Sequence, residues 1–142
     1  MLRFVFHLLL ALGANGCTRC AGSGISDPGL DIQVEKNTSG YLLHVRTCEG
    51  SAIGISWLQV RSASDSEHVS RCELSALHSS APRIKGHWQY GTIAPGYDLA
   101  GCEPLRPGST YIVEATGAGG GYRAFRVKLD GGVELGDGSC TR

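Results

Sequence analysis

The first residues whose spacing suits chemistry are Cys17 and Cys20, which stand in a Cys-x-x-Cys arrangement. Two thiols so spaced can exchange disulfides when a helix that follows stabilises the attacking thiolate. The residues after Cys20 are polar and rich in glycine, and they predict no helix. Attachment of a c-type haem would need histidine where Ala21 stands. We therefore interpret the pair as a lipid anchor or as part of a structural disulfide.

Histidine side chains are the next candidates, because imidazole ligates metals and acts as a general base. After residue 17 the chain contains His44, His68, His78 and His87. A strand places two ligands on one face at i and i+2, and no His-x-His pair occurs. We predict no metal site, no cofactor and no enzyme. An alternative stays open, namely a small hydrolase or metal-binding protein that uses His68, His78 or His87 with a carboxylate such as Asp98.

Three aromatic residues stand in a stretch punctuated by glycine and proline: Trp88, Tyr90 and Tyr97. Aromatic faces on such a stretch can stack on sugar rings or on peptide side chains. This predicts a ligand-contacting role, and a glycan-binding module is a further alternative. The other interpretation places the three rings in the core.

The first residues of the chain have the pattern of an export leader. Residues 4–14 form an apolar run after one positive charge, and small residues follow it. This pattern is typical of a signal peptide, and the run is shorter than the ~20 residues of a membrane-spanning helix. We expect a signal peptide over residues 1–16, a flexible tether over 17–29 and one domain over 30–142.

The sequence Ala14-Asn15-Gly16-Cys17 resembles the lipobox of bacterial lipoproteins. The resemblance implies cleavage before Cys17, which then becomes the acylated N-terminus. Thr18 in place of aspartate implies sorting to the outer membrane in a Gram-negative cell. The general signal peptidase would cut at the same bond, so a plain secreted or periplasmic form stays open.

Beyond the tether, short runs of alternating apolar and polar residues predict seven or eight β-strands. The runs cover residues 30–35, 41–46, 53–60, 68–74, 87–90, 109–116, 122–129 and 132–135. Trp57 is assigned to the core, and Leu129 to the inward face of its run. No amphipathic helical window follows residue 17. The sequence therefore predicts an all-β fold, an antiparallel β-sandwich.

The segment Leu105-Arg106-Pro107-Gly108-Ser109-Thr110-Tyr111 resembles the corner between strands E and F of fibronectin type III and related immunoglobulin-like domains. The resemblance implies that Tyr111 closes the corner by a hydrogen bond back to the preceding chain. It also implies an immunoglobulin-like sandwich.

Six cysteines in a chain of 142 residues suit an oxidising compartment. A bridge between Cys72 and Cys102 would fasten the middle loops. A bridge between Cys20 and Cys140 would join the chain ends, which often lie close together. These two pairings are our expectation among several that are possible.

The charge balance bears on partners. Lys plus Arg and Asp plus Glu number 13 each, so no net charge attracts nucleic acid. We expect membrane association only through a lipid anchor. The leading hypothesis is a non-enzymatic binding or structural module of a bacterial envelope, in the periplasm or at the cell surface, with a protein or glycan partner.

Overall fold

The computed structural model describes residues 29–64, 70–79 and 83–140, and these ranges form β-strands without a helix. The strands are β1 (Leu30–Asn37), β2 (Gly40–Thr47), β3 (Gly54–Ile55), β4 (Trp57–Ser62), β5 (Ser70–Ala76), β6 (Ile84–Lys85), β7 (His87–Gln89), β8 (Tyr97–Gly101), β9 (Thr110–Thr116), β10 (Gly120–Val127) and β11 (Val133–Gly138). Every pairing between these strands is antiparallel. The predicted all-β class is confirmed.

The strands form three sheets. One has the order β1-β2-β7, a larger one has the order β11-β10-β9-β4-β5-β8, and β3 pairs with β6 alone. The predicted first hairpin is present, since β1 and β2 pair along their whole length. Asn37 sets its turn, because its side-chain oxygen accepts a hydrogen bond from the backbone N–H of Ser39 at 2.9 Å.

The core lies between the two larger sheets. Alternate residues of both sheets point into one cluster of buried side chains, as period-two patterning requires. The members with at most 1% exposure are Leu30, Ile32, Leu43, Val45, Ile55, Leu58, Val60, Cys72, Leu74, Val113, Ala115, Phe125 and Val127. This arrangement is consistent with a β-sandwich.

The predicted strand over residues 53–60 is broken at Ser56. Its N–H donates to the Thr116 carbonyl at 2.8 Å, and its carbonyl accepts from Ala76 at 2.9 Å. The interruption inverts the alternation, so that Ile55 and then Leu58 point inward. Trp57 is turned to the outer face and is partly exposed, so its assignment to the core is wrong.

The last third of the chain follows the prediction with one exception. Strands β9 and β10 form the expected hairpin, with Tyr111 opposite Phe125 and their rings stacked at 5.6 Å. Strand β11 is an edge strand. Leu129 does not face the core: it is 86% exposed, because β10 ends at Val127 and the chain turns there.

Two disulfides join the described cysteines. Cys72 is bonded to Cys102, the pair expected from the sequence. The expected pairing of Cys140 with Cys20 is wrong, because Cys140 is bonded to Cys48. Cys48 directly follows β2 and Cys140 follows β11, and the fold brings their Cα atoms to 5.6 Å.

Several predictions lie outside the described residues. They are the signal peptide over 1–16, most of the tether over 17–29, Cys17 with its lipidation, Cys20 and His68. Within the described ranges, the structure contains no helix of the length and apolar character needed to cross a membrane.

Candidate functional site

Two of the three candidate ligand-contacting aromatics are core residues. Trp88 is 3% exposed, and its indole N–H donates to the Thr92 carbonyl at 2.9 Å. Tyr97 is 5% exposed; its hydroxyl donates to the Ile55 carbonyl and accepts from the N–H of Ile84. Both rings are covered on their faces by core packing, so the prediction that they contact a ligand is wrong.

The third aromatic, Tyr90, is half-buried and packs on the same core. Its ring lies 5.9 Å from that of Trp88, and its hydroxyl donates to the Glu103 carbonyl at 2.7 Å. Burial raises the pKa of Tyr90, and the negative charges of Tyr111 and Glu103 raise it further. Tyr90 therefore stabilises the loop that precedes Tyr111, and the three aromatics do not form an exposed face.

Of the residues in the alternative hypothesis, the structure describes His78, His87 and Asp98, and these three do not form a metal centre. His78 lies beyond the end of β5 and Asp98 lies on β8, both exposed, and His87 lies on β7 of the other sheet. Among the residues that the structure describes, no three His, Cys, Asp or Glu side chains are close enough to hold a metal ion. His87 has one imidazole neighbour, His44.

A different set of side chains lies on the outer side of the six-stranded sheet. We call it the Trp57 face; its members are Trp57, Gln59 and Arg61 of β4, Ile112 and Glu114 of β9, and Tyr122 of β10. The members on β4 and β9 alternate with buried neighbours, which fixes their outward direction, and Tyr122 shares that direction because it pairs directly opposite Glu114. The pairing register aligns Gln59, Glu114 and Tyr122 in one row across three strands. Tyr122 is 45% exposed.

Charges on the Trp57 face are paired. Arg61 donates to the Glu114 carboxylate at 3.2 Å, and the arginine side chain is only 13% exposed. In the pairing register Glu114 lies opposite Tyr122 of β10, whereas Arg61 is four residues from Trp57 along β4. Trp, Tyr and Arg are the residue types that dominate binding energy in protein interfaces, and on this face Trp57 is partly exposed and Tyr122 is exposed.

Among the described residues, one small pocket and one open groove are the concave features nearest to the candidate residues. A pocket of about 160 Å³ beside Tyr111 is lined by Ser62, Arg106 and an Arg71–Glu103 ion pair of 3.0 Å. This volume is below the roughly 300–1,000 Å³ of sites for small organic molecules. An open groove of about 420 Å³ follows the outer side of β1 and β2.

The Trp57 face was missed because the interpretation of residues 53–60 as one strand put Trp57 in the core. The signal was present in the sequence. Trp57, Gln59 and Arg61 share one phase of the alternation, and the aliphatic Leu58 and Val60 occupy the other. Tyr122 is in the opposite phase of the alternation from the buried Phe125. Its position beside Glu114 on the Trp57 face follows only from the pairing register of β10.

Comparisons of this chain with protein-family models, with curated proteins and with solved structures find no match.

Proposed function

We propose that this chain is an exported, non-enzymatic module of a bacterial envelope, with an immunoglobulin-like fold, that binds a protein partner through the Trp57 face. The observation that carries the proposal is the outward placement of Trp57 and Tyr122 on the same face of one sheet as the Arg61–Glu114 ion pair. When a partner covers a large aromatic side chain that reaches solvent, apolar surface is removed from water, and this favours binding.

The immunoglobulin-like part of the proposal is supported by the corner at Tyr111. This residue lies near the start of β9, and its hydroxyl accepts a hydrogen bond from the backbone N–H of Arg106 at 2.8 Å. A tyrosine bonded to the chain a few residues upstream marks the E–F corner of such domains. The sheet order is also compatible: β1, β2 and β7 correspond to strands A, B and E, and β10, β9, β4 and β5 to G, F, C and C′.

Export is supported by the cysteine chemistry. Two disulfides are compatible with an oxidising compartment, and the leader over residues 1–16 with its lipobox-like end suits secretion. Lipidation at Cys17 is part of the proposal. Labelling cells with palmitate should mark the wild type and not Cys17→Ala, and an intact mass without an acyl increment would refute lipidation while leaving export open.

A protein partner fits this surface better than a polyanion or a glycan. The net charge is zero, and the charged pair on the Trp57 face is internally neutralised, so no field attracts a polyanion. The face is a pleated sheet surface with two separated aromatics, whereas the three rings proposed for sugar stacking are packed on the core. Rigid strands that present Trp, Tyr and Arg suit a complementary protein surface.

Site-specific photo-crosslinking tests the proposal. A crosslinking amino acid at Gln59 lies on the Trp57 face, and the same probe at Gln33 lies on the outer side of the three-stranded sheet as a matched control. We expect one protease-sensitive adduct from Gln59 in the native cells, lost when Trp57→Ala is added. Equal adducts from both positions, or an adduct from Gln59 that persists when Trp57→Ala is added, would refute the Trp57 face as the binding surface. An adduct removed by glycosidase and not by protease would assign a glycan partner instead.

A further inference from the structure

A second surface lies on the outer side of the three-stranded sheet. His44 of β2 pairs directly opposite His87 of β7. Their strand neighbours Leu43, Val45 and Trp88 are buried, so both imidazoles point to the solvent side. The ring centres are 6.3 Å apart, with the planes inclined at 50°.

We propose that His44 and His87 together bind a borderline divalent transition-metal ion of the Cu²⁺ or Zn²⁺ class. Metal–nitrogen bonds of about 2.0–2.1 Å place the ring centres of two bound imidazoles roughly 5–6 Å apart. The observed separation is slightly larger, so small side-chain rotations on two adjacent strands bring both nitrogens to one ion. Because backbone pairing fixes the two Cα atoms, the pair is a preorganised bidentate chelate.

The neighbouring carboxylate supports this assignment. The Glu35 carboxylate oxygen lies 3.1 Å from Nε2 of His44. An ionised carboxylate only accepts, so Nε2 carries a hydrogen in this contact, and in the neutral ring the lone pair is then on Nδ1. Metal-binding histidines characteristically donate their other N–H in this way, which orients the ring and raises its basicity. Glu35 is thus a positioning residue and not a ligand, in agreement with the absence of a three-ligand group among the described residues.

Two protein ligands leave the remaining coordination positions to water. This predicts modest affinity, rapid exchange and stronger binding of Cu²⁺ than of Zn²⁺, as the ordinary order of divalent affinities requires. The ion would also fasten β7, which pairs through only three residues, to the β1–β2 hairpin. Metal binding to the folded state should therefore raise the unfolding temperature.

The test is titration of the purified processed chain with CuSO₄, followed by quenching of tryptophan fluorescence and by electron paramagnetic resonance. We expect one Cu²⁺ per chain with two nitrogen ligands, and at least about tenfold weaker binding in either His44→Gln or His87→Gln. His78→Gln is the control, since that exposed histidine lies outside the pair, and should bind as the wild type does. Glu35→Gln should weaken binding less than loss of a ligand.

Circular dichroism of each variant without metal checks that the fold is intact. Affinity unchanged in His44→Gln/His87→Gln, or a spectrum with sulfur or amino-terminal ligands, would refute the assignment. ZnCl₂ gives an independent readout, because it should raise the unfolding temperature of the wild type and not of the double variant. The inference does not depend on the Trp57 face, whose crosslinking can succeed or fail separately.

Discussion

Arg123 of β10 forms an ion pair with Asp31 of β1, and thereby connects the six-stranded sheet to the three-stranded one. The guanidinium uses its other donors on backbone carbonyls, Nε on Ile32 at 2.9 Å and NH1 on Gly136 at 3.1 Å. Its side chain is 13% exposed. One planar group therefore fastens β10, β1 and β11 together, and no other side chain type presents such a fork.

Replacement of Arg123 by lysine should destabilise the fold. Lysine keeps the charge but cannot reach the Ile32 and Gly136 carbonyls and Asp31 at once. We expect the free energy of unfolding to fall by about 1–3 kcal/mol in urea denaturation. Arg126→Lys, on the exposed side of the same strand, should stay within about 0.5 kcal/mol of the wild type. Equal losses in both variants would contradict the bridging role.

The two disulfides should differ in their contribution. Cys48–Cys140 closes a loop of 92 residues and Cys72–Cys102 one of 30. Loop-closure entropy predicts losses of about 4–5 kcal/mol for Cys48→Ser/Cys140→Ser and about 3–4 kcal/mol for Cys72→Ser/Cys102→Ser. Urea denaturation of the two double variants measures the order. Non-reducing peptide mapping that found Cys140 bonded to any residue but Cys48 would contradict the structure.

Two adjacent glycines at the start of β10, Gly120 and Gly121, allow a direct comparison of the effect of an added Cβ. A Cβ on Gly121 would lie 2.5 Å from the Leu30 carbonyl oxygen, whereas a Cβ on Gly120 would meet nothing within 4 Å. The two strands approach closely there, so Gly121→Ala forces backbone displacement. We expect a loss of about 1–3 kcal/mol in stability for Gly121→Ala. Gly120→Ala should be close to neutral by thermal denaturation, and a reversed order would contradict the predicted contact.

Stability should fall at alkaline pH because of Tyr90. Burial, followed by the charges of Tyr111 and Glu103, raises the pKa of this phenol above its ordinary value of 10.0. The folded state then keeps the proton that the unfolded state releases, so its stabilising contribution is complete below that value and is lost as pH rises above it. Urea denaturation at pH 8 and at about pH 11 should show a smaller alkaline loss in Tyr90→Phe than in the wild type. The exposed Tyr122→Phe serves as the control and should behave as the wild type; an equal alkaline loss in Tyr90→Phe would refute the assignment.

Local pattern was sufficient to predict much of the fold. The alternation around Ile32 and Val45 predicted the first hairpin, and the glycine-rich segment at residues 117–121 predicted the β9–β10 hairpin. Strand β8 was missed, since Tyr97–Gly101 lies among glycine and proline and shows little alternation. It forms a strand because β5 provides a pairing edge, which is a nonlocal cause.

The sequence by itself determined the all-β class and the antiparallel hairpins, because these depend on period-two patterning and on turns between neighbouring segments. Only the tertiary structure decided that Trp88 and Tyr97 are buried, and which of the possible cysteine pairings form. The break at Ser56 and the contact between the ends of β2 and β11 arise from hydrogen bonds and packing between residues far apart in the chain. Such contacts leave no periodic trace in the sequence.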